Sequence, residues 1–461
     1  MYADCENRSP WLAQREPDGP PQRLASDTAV DVLIVGAGIA GIATAFFLLR
    51  ATRARVLLVE RDRVGCGASG HSAGQLTTYF ERPLSDIADT FGWRLAADAQ
   101  RDLEDAHDLL DSMVGGSGAR LRIERFTGYL AMFNRAQLEV HLGSLLVRKR
   151  ADLPAYVCMV SEEADFVEEL PTELEGLYEV VPQAQVNALL EIGGDRYRAV
   201  LAEPAGCSNS SVLCQQVLGH LLATHRDRFA YADYSKVEQI VVSDDRVVAT
   251  VGAHRVVADH AVLCTNGFVD HVAEDEGGVP LRIADDQQIT GRVAYMAGFA
   301  EDAARLPAAI SYIRNEIIGG DTPYVYVTRR TYDRDGDTVT LTCIGGPEYP
   351  QEAAYDRDAP FPGPLLQMLD DEARPFAQPA RPPGRPYDFQ WHGLMGYNDC
   401  GLRVIGAHPR RQRLLYNLGC NGVGFLASIR GGHRIAELLA GRHVPAGVFD
   451  PRLVVEPVGG H

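Results

Sequence analysis

The stretch Asp31-Val32-Leu33-Ile34-Val35-Gly36-Ala37-Gly38-Ile39-Ala40-Gly41 decides the fold. Asp31 to Val35 reads as a short strand covered on both faces, and Ile42 to Arg50 changes to a helical apolar pattern. Between them, Gly36 permits a tight turn, Gly38 lets backbone approach a pyrophosphate, and Gly41 lets helix and strand pack closely. Ile39 and Ala40 open the helix, whose free N–H groups and dipole favour phosphate. Arg55 to Glu60 is a second short strand. Glu60 ends it where a carboxylate that binds ribose hydroxyls is usual, with Arg61 beside it. Strand, glycine turn, helix, strand and acid together predict a Rossmann-type dinucleotide-binding fold.

Just beyond lies Gly65-Cys66-Gly67-Ala68-Ser69-Gly70-His71-Ser72-Ala73-Gly74-Gln75. A run of small residues after the ribose-binding strand lets a cofactor lie along the backbone, so Gly67, Ala68, Ser69, His71, Ser72, Ala73, Gly74 and Gln75 are candidate contacts. A nicotinamide dinucleotide needs no such run, which favours FAD. Near the other end, Asn417-Leu418-Gly419-Cys420-Asn421-Gly422-Val423-Gly424-Phe425 leads into a helix expected to reach Ala440. Its turn, with Gly419, Asn421, Gly422, Val423 and Gly424, presents N–H donors to the negative charge that reduced flavin carries at its N1/O2 edge.

A chain of 461 residues exceeds one simple core and suits two packed domains. No apolar run reaches the length of a membrane span. Met1 to Asp27 lacks the basic start and apolar stretch of a signal peptide, so the cytoplasm is the expected compartment. The net charge of −18 disfavours a nucleic-acid partner and suits a cationic substrate. Nine cysteines without CxxC spacing imply reduced thiols, and no metal-ligand pattern is present. Residues 86 to 115 predict one or two amphipathic helices, and Ser211 to His225 another. Strands are expected at Val237–Val242, Val247–Val251 and Val256–Cys264, and at Leu414–Leu418 after the Pro-rich connector Arg374–Pro386. Gln287 to Gly346 alternates as a mostly antiparallel sheet with turns such as Asp335-Gly336. The expected class is α/β (α+β overall), with a discontinuous FAD-binding domain at 25–85, 196–280 and 388–461. A substrate domain takes 86–195 and 281–387, behind an N-terminal extension at 1–24.

The three glycine-rich pieces, in this order, resemble the D-amino-acid oxidase superfamily of FAD proteins, most of all its gamma-glutamylputrescine oxidoreductase and glycine–sarcosine oxidase group. Further likenesses are Ser9-Pro10-Trp11-Leu12, Val262-Leu263-Cys264-Thr265-Asn266-Gly267, and Trp391-His392-Gly393 followed by Asn398-Asp399. The resemblance implies FAD, and oxidation of a C–N bond of an amine or amino acid to an imine by hydride transfer to flavin N5. It implies a small-molecule substrate and O2 or a carrier as electron acceptor, and it puts Val237, Thr265, Asn266, Gly267 and Trp391 beside the cofactor. The chain also departs from the family. Monomeric sarcosine oxidase activates oxygen with a lysine in its substrate half, whereas Lys149 and Lys236, the chain's two lysines, are poorly placed for that. His392 falls near the place of that enzyme's flavin-binding cysteine. In dimethylglycine and sarcosine dehydrogenases a Trp-His pair in the small-residue loop carries the flavin covalently. Here Gly70 replaces the tryptophan before His71, so a covalent bond, a non-covalent flavin contact and a structural histidine all stay open.

The remaining candidates lie in the expected substrate sheet. Arg292 or Arg329 offers a bidentate clamp for a carboxylate, and Tyr324 and Tyr326 offer a wall. Alternation puts Tyr324 and Tyr326 on one face and Arg329 on the other. Two rival readings are an NAD(P)H-dependent flavin monooxygenase, disfavoured because Arg403-Val404-Ile405-Gly406 stands where those enzymes carry Gly-Asp, and a non-catalytic flavin-binding partner subunit.

Overall fold

Val32 and Ile34 leave their strand on one side and Leu33 and Val35 on the other, and the two pairs join different buried clusters. This is why the strand Thr28–Val35 carries no polar face at its C-terminal end. The structure is a computed structural model that describes residues 7–283, 289–302, 304–314, 324–334, 336–373 and 387–454. The connector Arg374–Pro386 and the positions Gln287 and Asp335 lie outside the described residues.

Thr28–Val35 lies parallel to Val56–Val59 on one side and to His254–Leu263 on the other. Phe229–Ala232 extends the sheet beyond Val56–Val59, also in parallel. The other edge forks. The first half of His254–Leu263 pairs antiparallel with Val247–Val251, while Ala261 to Leu263 run parallel to Leu414–Leu418. With Val237–Val242, Val272–Asp275 and Val404–Ala407 this makes nine strands among the described residues. The helices Ile39–Ala51, Ser210–Thr224 and Phe425–Leu439 pack on one face around Ile42, Phe46, Leu213 and Ile429. Gly432 makes the close approach possible, since a Cβ there would meet Thr44 N at 2.6 Å.

Among the described residues the second sheet has ten strands, mostly antiparallel. Its order runs Phe389–Tyr397, Thr290–Glu301, Asp337–Pro350, Tyr324–Arg334, Ala308–Ile313, Ile123–Met132, Ala199–Ser208, Val157–Ser161, Glu179–Val181, with Gln75–Thr77 on Ala199–Ser208. Three strands whose residues fall in the expected FAD-binding segments pair in this sheet: Gln75–Thr77, Ala199–Ser208 and Phe389–Tyr397. Ala199–Ser208 and Phe389–Tyr397 are each followed directly by an element of the first sheet's layer, Ser210–Thr224 and Val404–Ala407. The expected one or two helices over 86–115 are three, Leu84–Phe91, Trp93–Glu104 and Ala106–Ser117, with Gly92 at φ +86° breaking the first from the second. No helix among the described residues is long and apolar enough to cross a membrane.

Candidate active site

A cavity of about 500 Å3 runs between the two sheets, from Glu60 at one end to Tyr324 and Tyr326 at the other. Its first part is made by the opening motif. Glu60 Oε2 accepts from Ala37 N at 2.7 Å and Oε1 from Asp62 N at 3.0 Å, which fixes the carboxylate across the turn. Burial pushes Glu60 up to about 7, against the Ala37 backbone donor and Arg61. Gly36, at φ +100°, passes so close to the next strand that a Cβ would meet Cys264 O at 2.7 Å. A Cβ on Gly38 would meet only Ser69 Oγ, at 3.1 Å, so its other side opens to the cavity. Ile39, Ala40, Arg61 and Val237 line the cavity, as do Gly67, Ala68, Ser69, Ser72, Ala73, Gly74 and Gln75 of the small-residue loop, and Thr265 and Asn266. A glycine cradle at a helix start, a buried acid and a long channel fit FAD.

Other expected contacts stand behind the wall. Gly41 packs on Gly36 O, Gly267 on Met395 O, and Gly419 beside Ile289. The Asn421 side chain accepts from Asn398 N at 3.0 Å. Gly422, Val423 and Gly424 do line the cavity, at the start of the helix Phe425–Leu439. Trp391 packs edge-on against Trp11, ring centroids 6.4 Å apart, outside the lining.

His71 also lines the cavity. Its Nδ1 is 3.0 Å from Gly67 O, which assigns the proton to Nδ1 and leaves Nε2 as the free lone pair. Burial lowers its pKa to about 4, so the ring is neutral at physiological pH. The loop is clasped from behind by the N-terminal helix Pro10–Ala13: Trp11 Nε1 donates to Ser72 O at 2.5 Å, and Ser9 Oγ donates to Gly70 O.

The far end is walled by strands of the second sheet and by the loop after Gln75–Thr77. Tyr324 and Tyr326 enter it together, ring centroids 6.0 Å apart. Arg329, on the opposite face, does not. It is held by Glu191 through two bonds of 2.9 and 2.6 Å and belongs to a structural ion pair. Arg292 lies outside the lining, with Nε 3.3 Å from Glu348 Oε1 and its guanidinium over the Tyr397 ring. His392 also stands back from the cavity, with Nδ1 3.0 Å from Tyr355 OH and Nε2 2.9 Å from Ala359 O. Sequence reasoning places these three at the reacting centre because their partners lie far away in sequence.

It misses the acids. Glu81 lines the chamber and accepts from Tyr324 OH. Burial first, and Glu348 second, push it up to about 7, against the Tyr324 bond. Glu348 accepts from Tyr397 OH at 3.0 Å. A bulge aims it inward. Met296 pairs with Gly345 while Ala294 pairs with Glu348, one register step off, so Gly345 and Glu348 share a face although three residues apart. Gly346 makes the bulge, at φ +142°, with no room for a Cβ, which would meet Tyr324 O at 2.5 Å. The pair Gly345-Gly346 inside an apolar strand is the available signal. Nothing around Glu81 marks it in the sequence.

The family described as FAD dependent oxidoreductase (DAO) matches residues 31–438. Gamma-glutamylputrescine oxidoreductase of Escherichia coli (strain K12) is 30% identical over 118 residues, a match spanning 25% of this chain and 25% of that protein's length. Glycine oxidase from Geobacillus kaustophilus superposes with a TM-score of 0.65 at 15% identity, over 92% of this chain and 98% of that one. L-proline dehydrogenase from P.horikoshii does so with 0.65 at 12%, over 93% and 98%. The cofactor cradle and the two-sheet frame thus agree with the sequence match, and the chain belongs to the FAD dependent oxidoreductase family.

Proposed function

We propose that the protein oxidises a C–N bond of an amine or amino acid to an imine. The observation that carries this reading is the continuity of the FAD cradle with a walled chamber in the second sheet, holding Glu81, Glu348 and four tyrosines. The relatives are named for glycine, L-proline and gamma-glutamylputrescine, all of which offer a C–H bond beside nitrogen.

Bound FAD supplies the acceptor for the hydride. The chain's own groups do the rest. Gly38, the helix it caps and Glu60 hold the dinucleotide half. The strand Phe389–Tyr397 backs the middle of the site, where a Cβ on Gly393 would meet His71 Cβ at 2.8 Å. Met296, Met395 and the tyrosines give the chamber apolar walls, which keep water from the reacting carbon. Burial, and then nearby carboxylates, hold the Tyr79, Tyr324 and Tyr397 phenols well above their ordinary range, so they stay protonated donors. Neutral His71 adds no charge beside the flavin.

The test is an anaerobic screen of the yellow holoenzyme against amino acids, N-methyl amines and polyamines. Bleaching of the flavin band by at least one class is expected. A flavin that no amine or amino acid reduces would leave a flavin-binding scaffold instead.

A further inference from the structure

Glu81 and Glu348 reach one chamber from different elements, and neither serves the dinucleotide half. Glu81 comes from the loop after Gln75–Thr77, where Gly422 of the last glycine turn packs on it, and Glu348 from the bulged strand. Tyr79, Tyr324, Tyr326 and Tyr397 surround them. No lysine or arginine among the described residues is hydrogen-bonded or ion-paired to Glu81. The arginines that line the cavity are engaged elsewhere: Arg61 with Asp270, Arg357 with Asp62, and Arg403 with Asn417. The sequence's two candidate clamps are held by Glu191 and Glu348. A substrate carboxylate entering here meets the Glu81 carboxylate, which has no cation paired to it, while Glu348 is already matched by Arg292; an ammonium group meets Glu81 inside a box of aromatic faces.

We propose, resting on the amine or amino-acid reading above, that this chamber recognises the substrate as an ammonium cation through Glu81 and the tyrosine box. It excludes α-carboxylates, so the substrate is an amine with no carboxylate on the reacting carbon. Glu81 then makes that amine reactive. One N–H bond of the ammonium breaks, one O–H bond forms on Glu81, and the electron pair stays on nitrogen, so no oxidant enters the step. A carboxylate lifted to about 7 suits this transfer, being ionised at slightly alkaline pH yet basic enough to take a proton. Tyr79, Tyr324, Tyr326 and Tyr397, with Glu203 and with Glu348 and its partner Arg292, are the titratable and charged groups around it. Glu203 is itself buried and raised to about 7.

Calorimetric titration of the holoenzyme with tetramethylammonium and with pivalate, two ions of similar shape and opposite charge, tests the recognition. Tetramethylammonium is expected to bind and pivalate not. Between pH 6 and 8 the ammonium Kd falls roughly tenfold as Glu81 ionises, because the probe has no proton of its own to lose. Glu81→Gln abolishes that dependence. Should that variant fail to fold, the pH series on the native enzyme and Tyr324→Phe carry the test. Pivalate binding as tightly as the cation, or cation binding indifferent to pH and to Glu81→Gln, overturns the proposal. A parallel bleaching series compares each amine with its α-carboxylated counterpart, such as butylamine with norvaline. Reduction by the amino acids alone overturns this inference and leaves the broader reading standing. Reduction by neither class overturns the broader reading, while the titration still decides the recognition.

Discussion

A side chain at position 38 has one protein neighbour to meet, Ser69 Oγ, and one cofactor. Gly38→Val is therefore expected to fold less stably and to purify colourless, with FAD content by absorbance as the measurement. Stoichiometric FAD in this variant would contradict the cradle. The same scale decides His71. A Cβ on Gly70 would meet Gly65 O at 2.6 Å and Leu12 Cδ2 at 2.7 Å, so the tryptophan that precedes the flavin-linked histidine of the dimethylglycine dehydrogenase group has no room here. The loop takes its own path, and a non-covalent flavin contact is expected. Acid-precipitated protein should leave its yellow colour in the supernatant; colour in the pellet that is lost in His71→Ala would show a bond. Residues whose roles depend on local backbone are legible in the sequence. Gly36, Gly38 and Glu60 are set by a turn and a short crossover. Arg292, Arg329 and His392 stand off the cavity lining; charge and ring chemistry do not reveal the partner, and Glu348 on a strand, Glu191 at a helix end and Ala359 in a loop become neighbours only through the tertiary fold.

Two small elements set the site without touching the chemistry. The helix Pro10–Ala13 holds the small-residue loop through Ser9 and Trp11, and Trp11 is itself fixed by Trp391 and by the Arg330 guanidinium 4.3 Å from its ring centre. Trp11→Ala removes a fully buried indole, a loss of about 3–5 kcal/mol in general, and frees the loop. A lower thermal midpoint together with weaker FAD retention is expected, read by melting with and without added FAD. A variant that melts early yet keeps FAD fully bound would make the helix a packing element only. The bulge at Gly346 is the second such element. The strand and its glycines are plain in the sequence, but the face that Glu348 takes follows from a register step, which alternation alone puts on the wrong side. Parallel strands read well because both faces are apolar. Strand membership at 199–208 and 389–397 does not, since which sheet a strand joins is a long-range matter.

Among the described residues, the reacting end carries the carboxylates Glu81 and Glu348, its neighbouring Arg292 is tied to Glu348, and the two lysines sit elsewhere. Lys236 lines the dinucleotide end, ion-paired with Asp270 at 2.7 Å, and Lys149 is on the outer helix Arg135–Arg150. Reduction of oxygen passes through superoxide, which a nearby positive charge stabilises and carboxylates do not. Reoxidation of the reduced enzyme by oxygen is expected to be at least about tenfold slower than by an artificial acceptor, measured by stopped flow. Fast peroxide formation would reveal another cation at the site. The clasp of the N-terminal segment also orders events in time. Asn7 bonds the backbone of His392 and Arg357, Arg8 pairs with Gln390, and Tyr332 OH donates to Pro10 O. A ribosome delivers those partners hundreds of residues after the segment they receive. The segment must wait for residues made hundreds of positions later before the cofactor loop has its full support, so a chain interrupted before Trp391 emerges with a complete glycine motif and a loop only partly held.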